Sequence, residues 1–304
     1  MSQFRAGLVH TPVTPFTRER AIDWDTYGRL IDFHLAHGAE TLAVPMHVGE
    51  SVSLSDAEQR KLLAFVIARA AGRVPVIAHV SDSGTAICVA RAVNAQRAGA
   101  AAVVMTTPYY WTPPPGMLLE HFAAVGAAVT LPFFVWFTPE EQPGPRVTTE
   151  LVLKLIERLD NFAGVVDESL DWQFQINVLS NAQRARPDFQ LVSGTEYMVS
   201  AGANGATGMF SALAGVAPAL VRRLYDICRT ERYFDARPAQ ESIAALRQIV
   251  KRAGFAGLKS AMRAMGRDCG DPRPPHDVLR EVDHGALADR LHALPALGAE
   301  PRGW

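Results

Sequence analysis

Five side chains that can exchange protons or bind a metal stand at the ends of short apolar runs: His47, His79, Asp167, Glu168 and Glu196. An imidazole titrating near neutrality beside a carboxylate can move a proton next to a carbonyl, a contribution of typically about 10²–10⁴ in rate. Two other fates compete for the same residues. Alternate positions of a strand face opposite sides, and a carboxylate just after a strand often caps the next helix or pairs with an arginine. The same donors suit zinc or manganese, yet the first strand carries His10 alone rather than an H-x-H pair, and no H-x-x-x-H spacing occurs. The reading calls for no metal and no cofactor.

The composition narrows the ligand. At 48% hydrophobic and 20% charged, with a formal net charge of -1, the chain has no positive excess to recruit nucleic acid or an anionic membrane. A small neutral or anionic molecule is the expected partner. Cys88, Cys228 and Cys269 are far apart and form no C-x-x-C, so buried free thiols in a reducing cytoplasm are expected. The segment from Met1 to Gly7 lacks a basic stretch followed by an apolar one, so no export signal is read. No apolar run approaches the roughly 20 residues of a membrane span.

These residues need elements to hold them. Apolar, β-branched runs predict strands at Gly7–Thr11, Thr41–Val44, Val74–Val80, Ala101–Thr106, Pro132–Phe137, Ala163–Val166, Gln190–Gly194 and Thr207–Phe210. Amphipathic stretches such as Trp24 to His37 and Ser55 to Ala71 lie between them, the second opening on the capping box Ser55-Asp56-Ala57-Glu58. Gly38, Gly72 and Gly99 mark helix ends. The alternation favours a closed (β/α)8 barrel, although an open doubly wound sheet shows the same local pattern. After Thr230 only helices are predicted, over Asp235–Arg252, Gly257–Met265 and Asp283–Leu294. The division is a barrel over residues 1–230 and a helical appendage over 231–304, with a tail that frays from Pro295.

Ordered motifs carry a resemblance. They are Thr14-Pro15-Phe16-Thr17 with Ile22-Asp23, Gly49-Glu50-Ser51, Leu54-Ser55 with Glu58, Val74-Pro75-Val76-Ile77-Ala78, Thr85, and Pro108-Tyr109-Tyr110. Pro132, Pro139, Gly164-Val165, Ser193-Gly194 and the stretch from Gly205 to Ser211 with Pro218 continue the series. Together they resemble the dihydrodipicolinate synthase / N-acetylneuraminate lyase family, over about residues 7 to 265. The resemblance implies a (β/α)8 barrel with a C-terminal helical domain and a homotetramer built as a dimer of dimers.

It also implies an active site that this chain has altered. The family's lysine at the end of the sixth strand, which condenses with an α-keto acid, falls at Val166 in Gly164-Val165-Val166-Asp167. Such an amine needs a desolvated setting that depresses its pKa. Lys61, Lys154, Lys251 and Lys259 are the only lysines, and all fall on predicted helices, where a solvated or structural role is expected. The family's proton-relaying tyrosine becomes Trp136 and the following asparagine Phe137; an indole N–H donates but cannot shuttle a proton. Where the family has Gly-Thr-Thr-Gly-Glu, this chain has Met46-His47-Val48-Gly49-Glu50. Tyr110, beside Tyr109, matches the tyrosine that the family inserts into a neighbouring subunit, and interface packing alone would also retain it. The family's arginine after the fifth strand has no clean match; Arg146 is displaced by several residues.

The expectation is a divergent lyase acting without an imine on a small keto-acid-like or oxygenated metabolite. Its catalytic candidates are His47, Tyr110, Asp167 and Glu168; its substrate-binding candidates are Val48, Gly49, His79, Tyr109, Trp136, Phe137, Val166 and Glu196. The apolar replacements favour an aromatic or alkyl substrate over a sugar acid. The alternative is a non-catalytic binding or regulatory barrel.

Overall fold

The computed structural model describes residues 4–138 and 145–304. Eight parallel strands close on themselves in chain order, the last pairing with the first. They are β1 (Leu8–His10), β2 (Thr41–Val44), β3 (Val76–His79), β4 (Ala102–Thr106), β5 (Phe133–Phe137), β6 (Phe162–Asp167), β7 (Gln190–Ser193) and β8 (Gly208–Ser211). Each lies where the sequence pattern predicted a strand. Around them run α1 (Trp24–Ala36), α2 (Asp56–Ala70), α3 (Thr85–Ala98), α4 (Pro115–Ala127), α5 (Thr149–Arg158), α6 (Trp172–Ala185), α7 (Met198–Ala203) and α8 (Pro218–Arg229). Closure excludes the doubly wound sheet, whose strand order reverses partway. The fold is a (β/α)8 barrel followed by a helical part.

Local signals set the element ends. Ser55 and Glu58 form the reciprocal capping box at the start of α2, and Asp23, Thr148 and Asp171 cap α1, α5 and α6 through their side chains. Because side chains alternate along a strand, each strand supplies two cores. Val9, Ala43, Ile77, Val104, Phe134, Trp136, Val166, Val192 and Phe210 fill the barrel interior. Leu8, Leu42, Ala78, Val103, Val135, Phe137, Val165 and Met209 pack outward against the helices. Gly164 is required in β6, since a Cβ there would meet the Gln190 carbonyl oxygen at 2.3 Å.

The helical part comprises α9 (Tyr233–Arg252), α10 (Gly257–Ala264) and α11 (Glu281–His292). The buried stripe Ala236, Ala239, Ile243 and Leu246 has the spacing of one helix face. A buried ion pair ties this part to the barrel: Lys259 Nζ lies 2.7 Å from Glu50 Oε1, and the Arg273 backbone N–H donates to Glu50 Oε2 at 2.7 Å. Lys259 therefore has the structural role expected of it, with burial lowering its pKa.

The tail departs from expectation, because it is docked rather than frayed. The first turn of α8 has no side-chain cap of its own. Glu300 supplies one from the tail, accepting from Ala219 N at 3.0 Å and Leu220 N at 2.7 Å. The buried Arg267 then holds the Pro301 and Gly303 carbonyls at 2.9 and 2.8 Å. Cys88, Cys228 and Cys269 are free and buried. Among the described residues no helix is long and apolar enough to cross a membrane.

Lys259→Met would strand the Glu50 carboxylate in the interior, and the expected loss is about 3–5 kcal/mol of stability, read from urea denaturation. The double variant with Glu50→Gln should recover part of it. A single-variant loss under about 1 kcal/mol would show the pair to be dispensable.

Candidate active site

The C-terminal ends of the strands open into a cavity of about 440 Å³, where barrels of this kind place their sites. Its floor is apolar, with Trp136 edge-on to Phe210 at 4.8 Å between ring centroids. One wall carries the charge. Glu168 follows β6 by one residue and continues the inward-facing series through Val166. Gly194, after β7, makes room for it: a Cβ there would lie 2.9 Å from Glu168 Cβ.

Two neighbours contact the Glu168 carboxyl. The Trp136 indole Nε1 donates to its Oε2 at 3.2 Å, and Arg247 Nη2, reaching in from α9, lies 3.7 Å from its Oε1. Arg247 Nη1 also binds Glu196 Oε2 at 2.8 Å. Glu196 Oε1 accepts from the Ser211 hydroxyl at 2.9 Å and from Leu213 N at 3.0 Å. Gln240, also on α9, donates to the Glu196 carbonyl at 2.9 Å. Burial pushes the pKa of Glu168 up to about 7; Arg247 and Trp136 oppose the rise, while Glu196 and Asp167 add to it. The site thus holds one carboxyl balanced between its two protonation states beside one matched by a guanidinium, an arrangement suited to proton transfer.

The histidines differ. The Ser81 hydroxyl accepts from Thr106 N at 2.8 Å and is hydrogen-bonded to His79 Nε2, 2.6 Å away. With burial, Arg91 and His47 lowering its pKa to about 3, His79 lines the cavity as a neutral ring. His47 lies at the rim, edge-on to Phe255 at 5.3 Å, and burial followed by the charge of His276 lowers its pKa.

Of the residues expected from sequence, His47, Val48, His79, Tyr109, Trp136, Glu168 and Glu196 line the cavity. Val166 lies below it in the barrel interior, beside Trp136. Asp167 and Phe137 occupy the outward positions of their strands and do not reach it. Asp167 accepts from Gln175 Nε2 at 2.6 Å and the Ser169 hydroxyl at 2.7 Å, and Phe137 packs on Phe174. Gly49 is buried beside the cavity, its carbonyl accepting from the Thr14 hydroxyl at 2.6 Å. Tyr110 is 97% exposed, in a left-handed backbone conformation with φ 81°, and does not line this chain's cavity. Arg146 lies 3.5 Å from Asp171; Pro139 and Gly144 fall outside the described residues.

Sequence reasoning missed Arg247, together with Thr106, Thr107 and Phe210 in the lining. Arg247 had a signal: it stands four residues after Ile243, beside Leu246, on the apolar stripe of a helix. A charge in that place has a buried partner. Among the described residues no cluster of three or more His, Cys, Asp or Glu side chains could hold a metal ion. All four lysines are described and none lines the main cavity.

The sequence model of the dihydrodipicolinate synthetase family matches residues 5–294. The chain belongs to that family. It is 32% identical over 296 residues to an uncharacterized DapA-like lyase of Halobacterium salinarum, covering 96% of this chain and 94% of the relative. It is 30% identical over 296 residues to a 4-hydroxy-tetrahydrodipicolinate synthase of Caldicellulosiruptor bescii, covering 96% and 97% of the two chains. The dihydrodipicolinate synthase of Thermotoga maritima shares its fold at a TM-score of 0.89 and 24% identity, over 96% of this chain and 99% of that one. The dihydrodipicolinate synthetase family is one of lyases.

Because the folded pKa of Glu168 lies above its ordinary 4.5, the folded state holds an extra proton between the two values. Its stabilising contribution is full below about pH 4.5 and is lost as pH rises through about 7. Glu168→Gln should therefore gain thermal stability relative to the parent at pH 8 and not at pH 5. In Arg247→Met the Glu168 midpoint, followed by ¹³C-carboxyl NMR, should move upward. A midpoint near 4.5 in the parent would refute the assignment.

Proposed function

We propose that this member of the family is a lyase that works by acid/base chemistry, without a lysine imine, on a small keto-acid-like or oxygenated metabolite. The observation that carries the reading is Glu168: a carboxyl with a pKa near 7, aimed into the cavity between the Trp136 N–H and Arg247. The matching Schiff-base position is the apolar Val166, and no lysine lines the main cavity. In its ionised form Glu168 takes the proton of a substrate hydroxyl. The bond between the hydroxyl-bearing carbon and the carbon next to the carbonyl then breaks, and its electron pair moves to that carbonyl as an enolate. Arg247 and the Trp136 N–H offset the developing charge, and Glu168 returns its proton to carbon. His47 is placed to select what enters, and Glu196 to orient Arg247.

Binding without turnover has support of its own. His79 Nε2 is hydrogen-bonded to Ser81, and Asp167 is committed to Gln175 and Ser169, so two expected acid/base groups are already engaged. Turnover that falls with a pKa near 7 and is lost in Glu168→Gln favours the lyase; binding of a small acid with no turnover at any pH favours the second reading. A homotetramer is also proposed, supported by the exposed aromatics Tyr110 and Trp111, 97% and 64% accessible. Light scattering should give a tetramer's mass, and a monomer at micromolar concentration would remove the proposal.

Treatment with pyruvate and borohydride should leave the mass of the parent chain unchanged. Val166→Lys should give a trappable adduct, since burial beside Trp136 depresses an amine pKa, yet no appreciable dihydrodipicolinate synthase or sialic acid lyase turnover. An adduct on the parent chain, or full family activity from the single substitution, would sink the reading.

A further inference from the structure

A second pocket of about 190 Å³ adjoins the main cavity. His47, Val48, Ala212 and Arg247 line both, so the two spaces meet beside the charged wall. The second space runs outward between the barrel mouth and the helical part. Val13, Leu213, Val250, Phe255 and Leu258 give most of it an apolar surface, and Lys251 and Lys259 also line it, the latter paired with Glu50. Gly254, between α9 and Phe255, adopts φ 68° and has no heavy atom within 4 Å of where a Cβ would sit, leaving that side open. Phe255 stacks face to face on His276 at 3.6 Å between centroids and stands roughly perpendicular to His47 at 5.3 Å, so aromatic rings flank the place where the spaces join.

We infer that the ligand is a two-part molecule: an oxygenated or carboxylate-bearing head beside Glu168 and Arg247, and an alkyl or aryl tail that passes His47 into this side pocket. The inference rests on the head-group reading above and adds where the rest of the molecule lies. A tail is needed for tight binding because the head site offers an anion little net attraction. Arg247 is already shared between Glu196 and Glu168, and ionisation of Glu168 adds a negative charge. Apolar burial is independent of that balance, and each buried methylene improves affinity about fourfold. Specificity then resides in Val250 and Phe255, residues of the helical part, rather than in the barrel strands.

The test is calorimetric titration, at pH 6 where Glu168 holds its proton, with pyruvate, 2-oxohexanoate and 2-oxo-4-phenylbutyrate. The expected result is at least tenfold tighter binding of the phenyl acid than of pyruvate. Val250→Phe, which fills the side pocket, should collapse that ratio toward unity, and Phe255→Ala, which enlarges it, should shift the preference to the bulkier tail. Melting curves establish that both variants fold. Binding of all three acids with equal affinity, or a ratio unmoved by both variants, would overturn the tail site and leave the head-group reading standing. If none of the acids binds the parent, the head-group reading fails, and the inference fails with it.

Discussion

A side chain on a closed parallel barrel has two destinations, the axis or the helices, and the choice is made by odd and even position along the strand. Every feature of the site depends on that constraint. On β5 it sends Trp136 inward and Phe137 outward; on β6 it sends Val166 and then Glu168 inward, with Asp167 between them turned toward α6. Neighbouring letters in the sequence therefore serve different purposes. Asp167 and Glu168 have the same charge and adjacent numbers, yet one satisfies α6 and the other meets the cavity.

The inward carboxyl acquires its character from what surrounds it. Its own burial would hold it neutral, while a guanidinium and an indole N–H pull the other way. Burial outweighs the other two, and the net rise is how this carboxyl comes to exchange protons near neutrality. Arg247 is central to this balance because it serves two carboxylates at once, and Gln240 on the same helix fixes the loop that carries one of them. Removing Arg247 would push the Glu168 carboxyl further toward its neutral form.

Much of the fold was legible in the sequence. The strands were visible as short apolar, β-branched runs between helical stretches, and helix ends such as Ser55 with Glu58 declare themselves by local hydrogen bonding. The site was legible wherever strand parity could be applied, and Asp167 and Phe137 were included only because parity was not. Three things lay beyond a local reading. Arg247 reaches the cavity from a helix some 50 residues past its partner Glu196, a contact with |i−j| of 51. The tail's order depends on an uncapped helix start about 80 residues earlier, with |i−j| of 81 for Glu300 and Ala219. The Ser81 hydroxyl that is hydrogen-bonded to His79 also accepts from the backbone of β4. Each is a partner chosen by the closed fold, not by spacing.

That Arg247 comes from α9 bears on how such a barrel could be divided. The eight strands and eight helices form a closed unit by topology, but not by charge. Cut away after α8, the barrel would keep Glu168 and Glu196 and lose the cation that serves both, and Glu50 would lose Lys259 in the same stroke. Shuffling this chain's barrel onto a foreign C-terminal segment thus requires a basic residue transplanted at the corresponding helical turn. The boundary drawn by secondary structure is crossed by ion pairs, so parts exchanged at it must bring their cations with them.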